Sequence, residues 1–156
     1  MMAENLTRVD MAGYVEDLVT ALRRSSKPGD IEVQVDTADV VLTFDAVSPC
    51  GLLINELVSN AMKHAFPADW RAAHPETRAT IRVALQPEAR DTERFMLMVS
   101  DNGVGMPSEV LLRQTDALGL TLAGLLAGQL HGELTVAQNA GTTVRVVFSS
   151  AVALAP

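Results

Sequence analysis

The stretch "INELVSNAMKHAF", residues 54–66, places four polar side chains in a run that is otherwise apolar. On a helix, residues four apart share a face. Glu56, Asn60 and His64 therefore line up with Lys63 beside them. Leu53, Ile54, Leu57, Val58, Ala61 and Ala65 take the opposite side. A solvated face of an amphipathic helix is the simplest reading, but two features argue for more. Asn is a poor interior helix residue because its amide competes for backbone hydrogen bonds. The set also suits Mg–nucleotide chemistry. An amide oxygen is a hard metal ligand, a Glu one turn earlier can act as a base or orient water, and Lys can meet phosphate.

Working outward, the periodicity predicts a helix over residues 46–65, with Asp45 or Ser48 as its cap and Pro49 at its first position. Before it lie a helix at 9–24, ended by "SSKPGD", and strands at 31–36 ("IEVQVD") and 40–44 ("VVLTF"). After it, "FPADWRAAHPETR" reads as a polar loop. "ATIRVALQ" and "RFMLMVS" read as an antiparallel hairpin across the turn-rich "QPEARDTE". A helical turn in "SEVLLRQ", a helix in "LTLAGLLAGQL" stopped near Gly132, and a hairpin of "ELTVAQ" with "TTVRVVFSS" across "NAG" complete the chain. The order α-β-β-α-β-β-α-β-β predicts a mixed or antiparallel sheet with helices on one face.

Size and composition bound the function. A chain of 156 residues fits one domain, 1–156, and is long enough to bury a core. Hydrophobic residues make up 48% and charged residues 20%, which marks a globular chain. Aromatics are 4% and the net charge is −7, so both the basic surface and the stacking platforms of a nucleic-acid binder are missing. The single cysteine, Cys50, excludes a disulfide framework and suits a reducing compartment. The charged opening does not resemble a signal peptide, and "ALGLTLAGLLAGQL" is too short for a membrane span. The expectation is a cytoplasmic chain or fragment with no membrane contact.

Three further signals accompany the polar stripe. In "VSDNGVGMP", residues 99–107, Asp101 follows an apolar strand and precedes Asn102, Gly103 and Gly105. A turn is the simpler reading. A carboxylate at a strand end beside glycines could also accept from a base amino group. Gly119 stands near the start of a helix, where free N–H groups and the dipole can hold phosphate. Gly141-Thr142 alone is a turn. No Walker pattern or dinucleotide fingerprint occurs, and Cys50 has no partner at metal spacing. His74 reads as solvated, and His131 as a helix C-terminal residue facing the dipole.

In order and spacing, these four signals resemble the ATP-binding domain shared by sensor histidine kinases, gyrases, heat-shock chaperones of that ATPase fold and anti-sigma serine kinases. "NELVSNAMKHAF" looks like the Asn-box. "DNGVG" looks like the first glycine box, Leu118–Leu120 the second, and Gly141-Thr142 the third. The wording is most similar to histidine kinases of the HWE type. The resemblance implies a two-layer α/β sandwich, the Bergerat ATP-binding fold, with a mixed sheet backed by helices on one face. It implies ATP and Mg²⁺ as cofactors. Asn60 would ligate the metal and Asp101 would accept from the adenine amino group. Gly103 and Gly105 would admit the base. Lys63 and His64 would contact phosphate or ribose, and Leu118, Gly119 and Leu120 would offer N–H groups to the phosphate tail. Thr142 would support the adenine contact, and Glu56 matches the base of the water-splitting relatives. Met106 to Ala117 would form a mobile lid.

Two departures stand out. Ala117 occupies a position where that family often has Gly. None of His64, His74 and His131 lies in the helical hairpin that carries an acceptor histidine. The resemblance therefore implies a catalytic domain that needs a histidine-bearing dimerisation domain supplied elsewhere and, through it, a response regulator. An anti-sigma-type serine kinase and a non-catalytic adaptor of the same fold are the alternatives.

Overall fold

The strands alternate so that one face of the sheet is apolar. In the computed structural model, which describes residues 8–24, 31–88, 91–105, 118–138 and 140–149, five strands form one sheet. They are β2 (Glu32–Thr37), β4 (Thr80–Glu88), β5 (Asp91–Asp101), β6 (Glu133–Gln138) and β7 (Thr142–Ser149). Their spatial order is β2-β4-β5-β7-β6, with β2 parallel to β4 and every other pair antiparallel. Rows of aligned residues cross it. Val35, Val83, Val99, Val144 and Val136 form one, and Leu85, Leu97, Val146 and Leu134 another. Gln34, Asp36, Arg82 and Arg145 lie on the other, exposed face.

Three helices cover the apolar face. They are α1 (Met11–Arg24), α2 (Phe44–His64) and α4 (Leu118–Gln129). Met11, Val15 and Val19 of α1, Leu53, Ile54 and Val58 of α2, and Ala123, Leu126 and Ala127 of α4 join the strand residues in one core. The result is a mixed-sheet, two-layer α/β sandwich, and the expected hairpins β4–β5 and β6–β7 are both present.

Local details differ from the expectation. Arg8–Asp10 form a short strand, β1, paired antiparallel with β3 (Val41–Thr43) apart from the main sheet. Val9 fits a helical spacing equally well, and only the tertiary pairing decides. The helix α2 starts at Phe44 with Thr43 as its cap residue, and no side chain caps it. Pro49 is thus inside the helix, where it removes a backbone bond. Burial of Ala46 and Val47 in the extra first turn offsets that loss. The "polar loop" contains a short helix, α3 (Ala68–Ala73), whose Trp70 is buried edge-on against Phe66 and stacked on His74. The strands β4 and β5 extend into the turn-rich connection "QPEARDTE" from both sides. The "SSKPGD" terminator, the turn in "SEVLLRQ" and the lid at 106–117 lie outside the described residues, as do the side chains of 91–93 and 118–121. Among the described residues, no helix is long and apolar enough to cross a membrane.

The end of α4 is a Schellman turn. His131 N–H donates to Gly128 O at 3.0 Å and Gly132 N–H to Ala127 O at 2.8 Å. The left-handed position is taken by His131, with φ 56°, rather than by glycine. Gly132 is needed for another reason: a Cβ there would sit 2.8 Å from the Val147 carbonyl oxygen.

Replacing the exposed His131 by Gly should therefore stabilise the chain. The left-handed penalty of about 1–2 kcal/mol outweighs the entropic cost of glycine by about 0.5–1 kcal/mol. The urea midpoint is expected to rise with an unchanged slope; an unchanged or lower midpoint would contradict the strain. Cys50 supplies a second check. It is fully buried, and burial pushes its thiol up to about 12. A thiol reagent should label it only as fast as the chain unfolds, so labelling rates should climb with denaturant.

Candidate functional site

Three segments meet at one end of the sheet: the end of α2, the loop after β5 and the start of β7. Their meeting depends on close backbone approaches. Val104 N–H donates to Ala65 O at 2.9 Å, one residue past the end of α2. A Cβ on Gly103 would overlap that same Ala65 carbonyl oxygen, so the residue must be glycine for the loop to dock. Gly141, with φ 130°, lets the β7 start lie against the Asp101 backbone, where a Cβ would overlap the Asp101 carbonyl oxygen. Gly105, with φ 77°, faces the Gln138 side chain.

Asp101 stands at the centre. It ends β5, and its place in register beside Ile81 puts its side chain on the helix-covered face. Its Oδ1 accepts from Gly103 N–H at 2.9 Å and from Thr142 N–H at 3.4 Å. Both bonds use the same oxygen, which leaves Oδ2 as a second acceptor. Burial pushes the carboxyl above the usual carboxylate range, and the Gly103 and Thr142 N–H groups pull it partly back.

The polar stripe of α2 is arranged as its spacing predicts. Glu56 and Asn60 are half-buried one turn apart, while Lys63 and His64 are exposed in the last turn. Among the described residues, none of the four side chains is held by a protein hydrogen bond or ion pair. Leu118, Gly119 and Leu120 form the first turn of α4, which packs against α2. Backbone N–H groups in a first turn have no acceptor within the helix. Thr142 is buried and meets Asp101 through its backbone N–H.

The sequence thus pointed to segments that the fold brings together. Gly141-Thr142 reads as a turn by itself and is marked only by the resemblance to a glycine box; the close approach to Asp101 gives its glycine a physical reason. The sequence missed two contributors. Ala65 acts through its carbonyl, which no side-chain pattern reveals. Asn102 was absorbed into an Asn-Gly turn, yet its side chain binds the neighbouring strand.

Comparison with known proteins bears on the family and the fold. Residues 45–151 match the family described as histidine kinase-, DNA gyrase B- and HSP90-like ATPases. The chain is 26% identical over 139 residues to blue-light-activated histidine kinase 2 of Erythrobacter litoralis, covering 88% of this chain and 38% of that protein. It is 34% identical over 107 residues to the sensor histidine kinase PdtaS of Mycobacterium tuberculosis, covering 67% of this chain and 20% of that protein. The chain therefore spans well under half the length of these relatives. The structure superposes on that of the Erythrobacter litoralis EL346 blue-light-activated histidine kinase with a TM-score of 0.76 at 22% identity. That match covers 92% of this chain and 46% of the other.

The raised Asp101 carboxyl has a consequence for stability. The folded state holds this proton more tightly than the unfolded chain does. The resulting stabilisation is complete below the ordinary carboxylate range and is lost as pH rises through the raised folded value. At neutral pH the charge on Asp101 therefore opposes folding. Asp101→Asn keeps an oxygen acceptor for both N–H groups and removes the charge. Its unfolding midpoint at pH 7 should equal or exceed that of the wild type, and its stability should vary less with pH in the weakly acidic range. A clear loss of stability at pH 7 would show that the carboxylate is structural.

Proposed function

Because the chain belongs to the histidine kinase-, DNA gyrase B- and HSP90-like ATPase family, we propose that it binds Mg²⁺–ATP where α2, β5 and β7 meet and passes the γ-phosphoryl group to a histidine on another domain or chain. The matched region is the ATP-binding catalytic domain that sensor histidine kinases carry. The observation that carries the adenine part of the proposal is the pairing at Asp101. Backbone N–H groups fix Oδ1, so Oδ2 is oriented without using its own acceptor capacity. A fixed, half-buried acceptor selects a ring bearing an exocyclic amine over one bearing a carbonyl.

The remaining roles follow from chemistry. Asn60 is a half-buried hard-oxygen donor with no protein partner among the described residues, which fits one protein ligand to Mg²⁺. Among the described residues, no cluster of three or more His, Cys, Asp or Glu is placed to hold a metal. That suits an ion held mainly by substrate phosphates and water, as Mg²⁺ commonly is. When bound, the metal would supply charge neutralisation to the phosphates. Glu56 orients water or accepts a proton one turn earlier on the same face. Lys63 and His64 meet phosphate or ribose. The first turn of α4, at Leu118, Gly119 and Leu120, offers N–H groups to the phosphate tail. Gly103 and Gly105 keep side chains out of the base's approach, and Thr142 holds Asp101 in place. The acceptor is a histidine-bearing dimerisation domain that passes the phosphoryl group to a response regulator, and the setting is the cytoplasm. The chain acts as a single catalytic unit over residues 1–156.

Calorimetry with ATP and GTP, with and without Mg²⁺, tests the binding. ATP should bind more tightly, and Asp101→Asn should weaken it by roughly 1–3 kcal/mol, the cost of misdirecting a charge-assisted hydrogen bond. Equal affinity for GTP would sink the adenine role. Asn60→Asp should impair transfer more than nucleotide binding, because a carboxylate keeps an oxygen donor but adds charge beside the triphosphate. The transfer assay supplies a histidine-bearing hairpin domain in trans and reads acid-labile phosphate. Labelling of serine on a partner, with every histidine left unmodified, would replace this proposal with the serine-kinase reading.

A further inference from the structure

The residue after Asp101 makes an unusual set of bonds. Asn102 Oδ1 accepts from Thr80 N–H at 2.9 Å, and Asn102 Nδ2 donates to Arg78 O at 3.0 Å. Its backbone N–H donates to Thr80 O at 3.3 Å. Ile81 and Asp101 are the last aligned pair of β4 and β5. Beyond them the side-chain amide of Asn102 stands in for two further rungs of the ladder, across residues that otherwise would fray. The loop is thus gripped on both sides: Asn102 holds it to the start of β4, and Asp101 Oδ1 holds it to Thr142 at the start of β7.

Asn meets this requirement and its near relatives do not. The site needs one donor and one acceptor on a short side chain. Asp offers acceptors only and would face the Arg78 carbonyl with a second carboxylate beside Asp101. Gln adds a methylene, and Ser has a single polar atom.

We infer that Asn102 is a positioning residue for nucleotide selection: its amide fixes the end of β5 on β4 and thereby aims Asp101 Oδ2 at the base. This rests on the adenine-reading role proposed above for Asp101. Asn102 acts through its neighbour and does not itself contact the nucleotide.

The test uses the whole chain with Asn102→Ala and Asn102→Ser. Two quantities are read: the ratio of ATP to GTP affinity, and the Asp101 carboxyl titration followed by carbon NMR on Asp-labelled protein. Weakened ATP binding of about tenfold with GTP binding unchanged is expected, together with movement of the Asp101 midpoint toward the ordinary carboxylate range. A purely structural role would lower the melting temperature and leave both readings as in the wild type. If either variant folds, keeps the full ATP preference and leaves the Asp101 titration unmoved, the inference about Asn102 is overturned while the adenine reading survives. Absence of ATP preference in the wild-type chain overturns the adenine reading itself, and the role of Asn102 with it.

Discussion

One carboxylate oxygen joins segments that are far apart in the chain. Asp101 Oδ1 accepts from Gly103 N–H, which shapes the loop after β5, and from Thr142 N–H, which begins the last strand of the hairpin. The first bond turns the loop toward Ala65 at the end of α2, and the second sets where β7 enters the sheet. The docking of the loop on Ala65 and the approach of the β7 start to Asp101 each bring backbones together without a Cβ between them, at Gly103 and at Gly141. The glycines therefore have a packing duty before any ligand arrives. A half-buried charge held in this way opposes folding at neutral pH, and the proposed contact with the base supplies a reason to keep it.

The helix α2 divides its labour along its length as well as around its axis. Its first half is anchored by Ala46, Val47, Cys50, Leu53 and Ile54 in the core, so it tolerates Pro49 in its interior. Its second half keeps Leu57, Val58 and Ala61 buried and turns Glu56 and Asn60 away from them. The same rigid rod thus serves both the core and the polar stripe. A site built on such an element holds its geometry better than one carried by loops alone.

Much of this was legible in the sequence wherever one segment's own pattern was enough. Alternation in "IEVQVD", "ATIRVALQ" and "TTVRVVFSS" announced strands, and the spacing of Glu56, Asn60 and His64 announced a polar face. The resemblance then supplied an order for Asn60, Asp101, Gly119 and Thr142 that no single segment could. What was hidden was set by partners distant in sequence. Val9 joins a strand because Leu42 lies opposite it. Trp70 sits in a short helix because Phe66 and His74 receive its ring, although its neighbours are polar. Turn chemistry explains Asn102 fully when only residues 101–105 are considered, so its bonds to Arg78 and Thr80 had no local signature.

Asn102-Gly103 is the chain's sole Asn-Gly pair, and such pairs are where proteins age chemically. The glycine nitrogen attacks the side-chain amide carbon and expels ammonia. Water then opens the cyclic imide to aspartate, or to isoaspartate with an extra methylene in the backbone. Here neither reactant is free. The Gly103 N–H is bonded to Asp101, and the Asn102 amide is bonded through both its oxygen and its nitrogen. The contacts that shape the loop therefore also guard its covalent integrity, at a point where a second carboxylate or a lengthened backbone would undo the site.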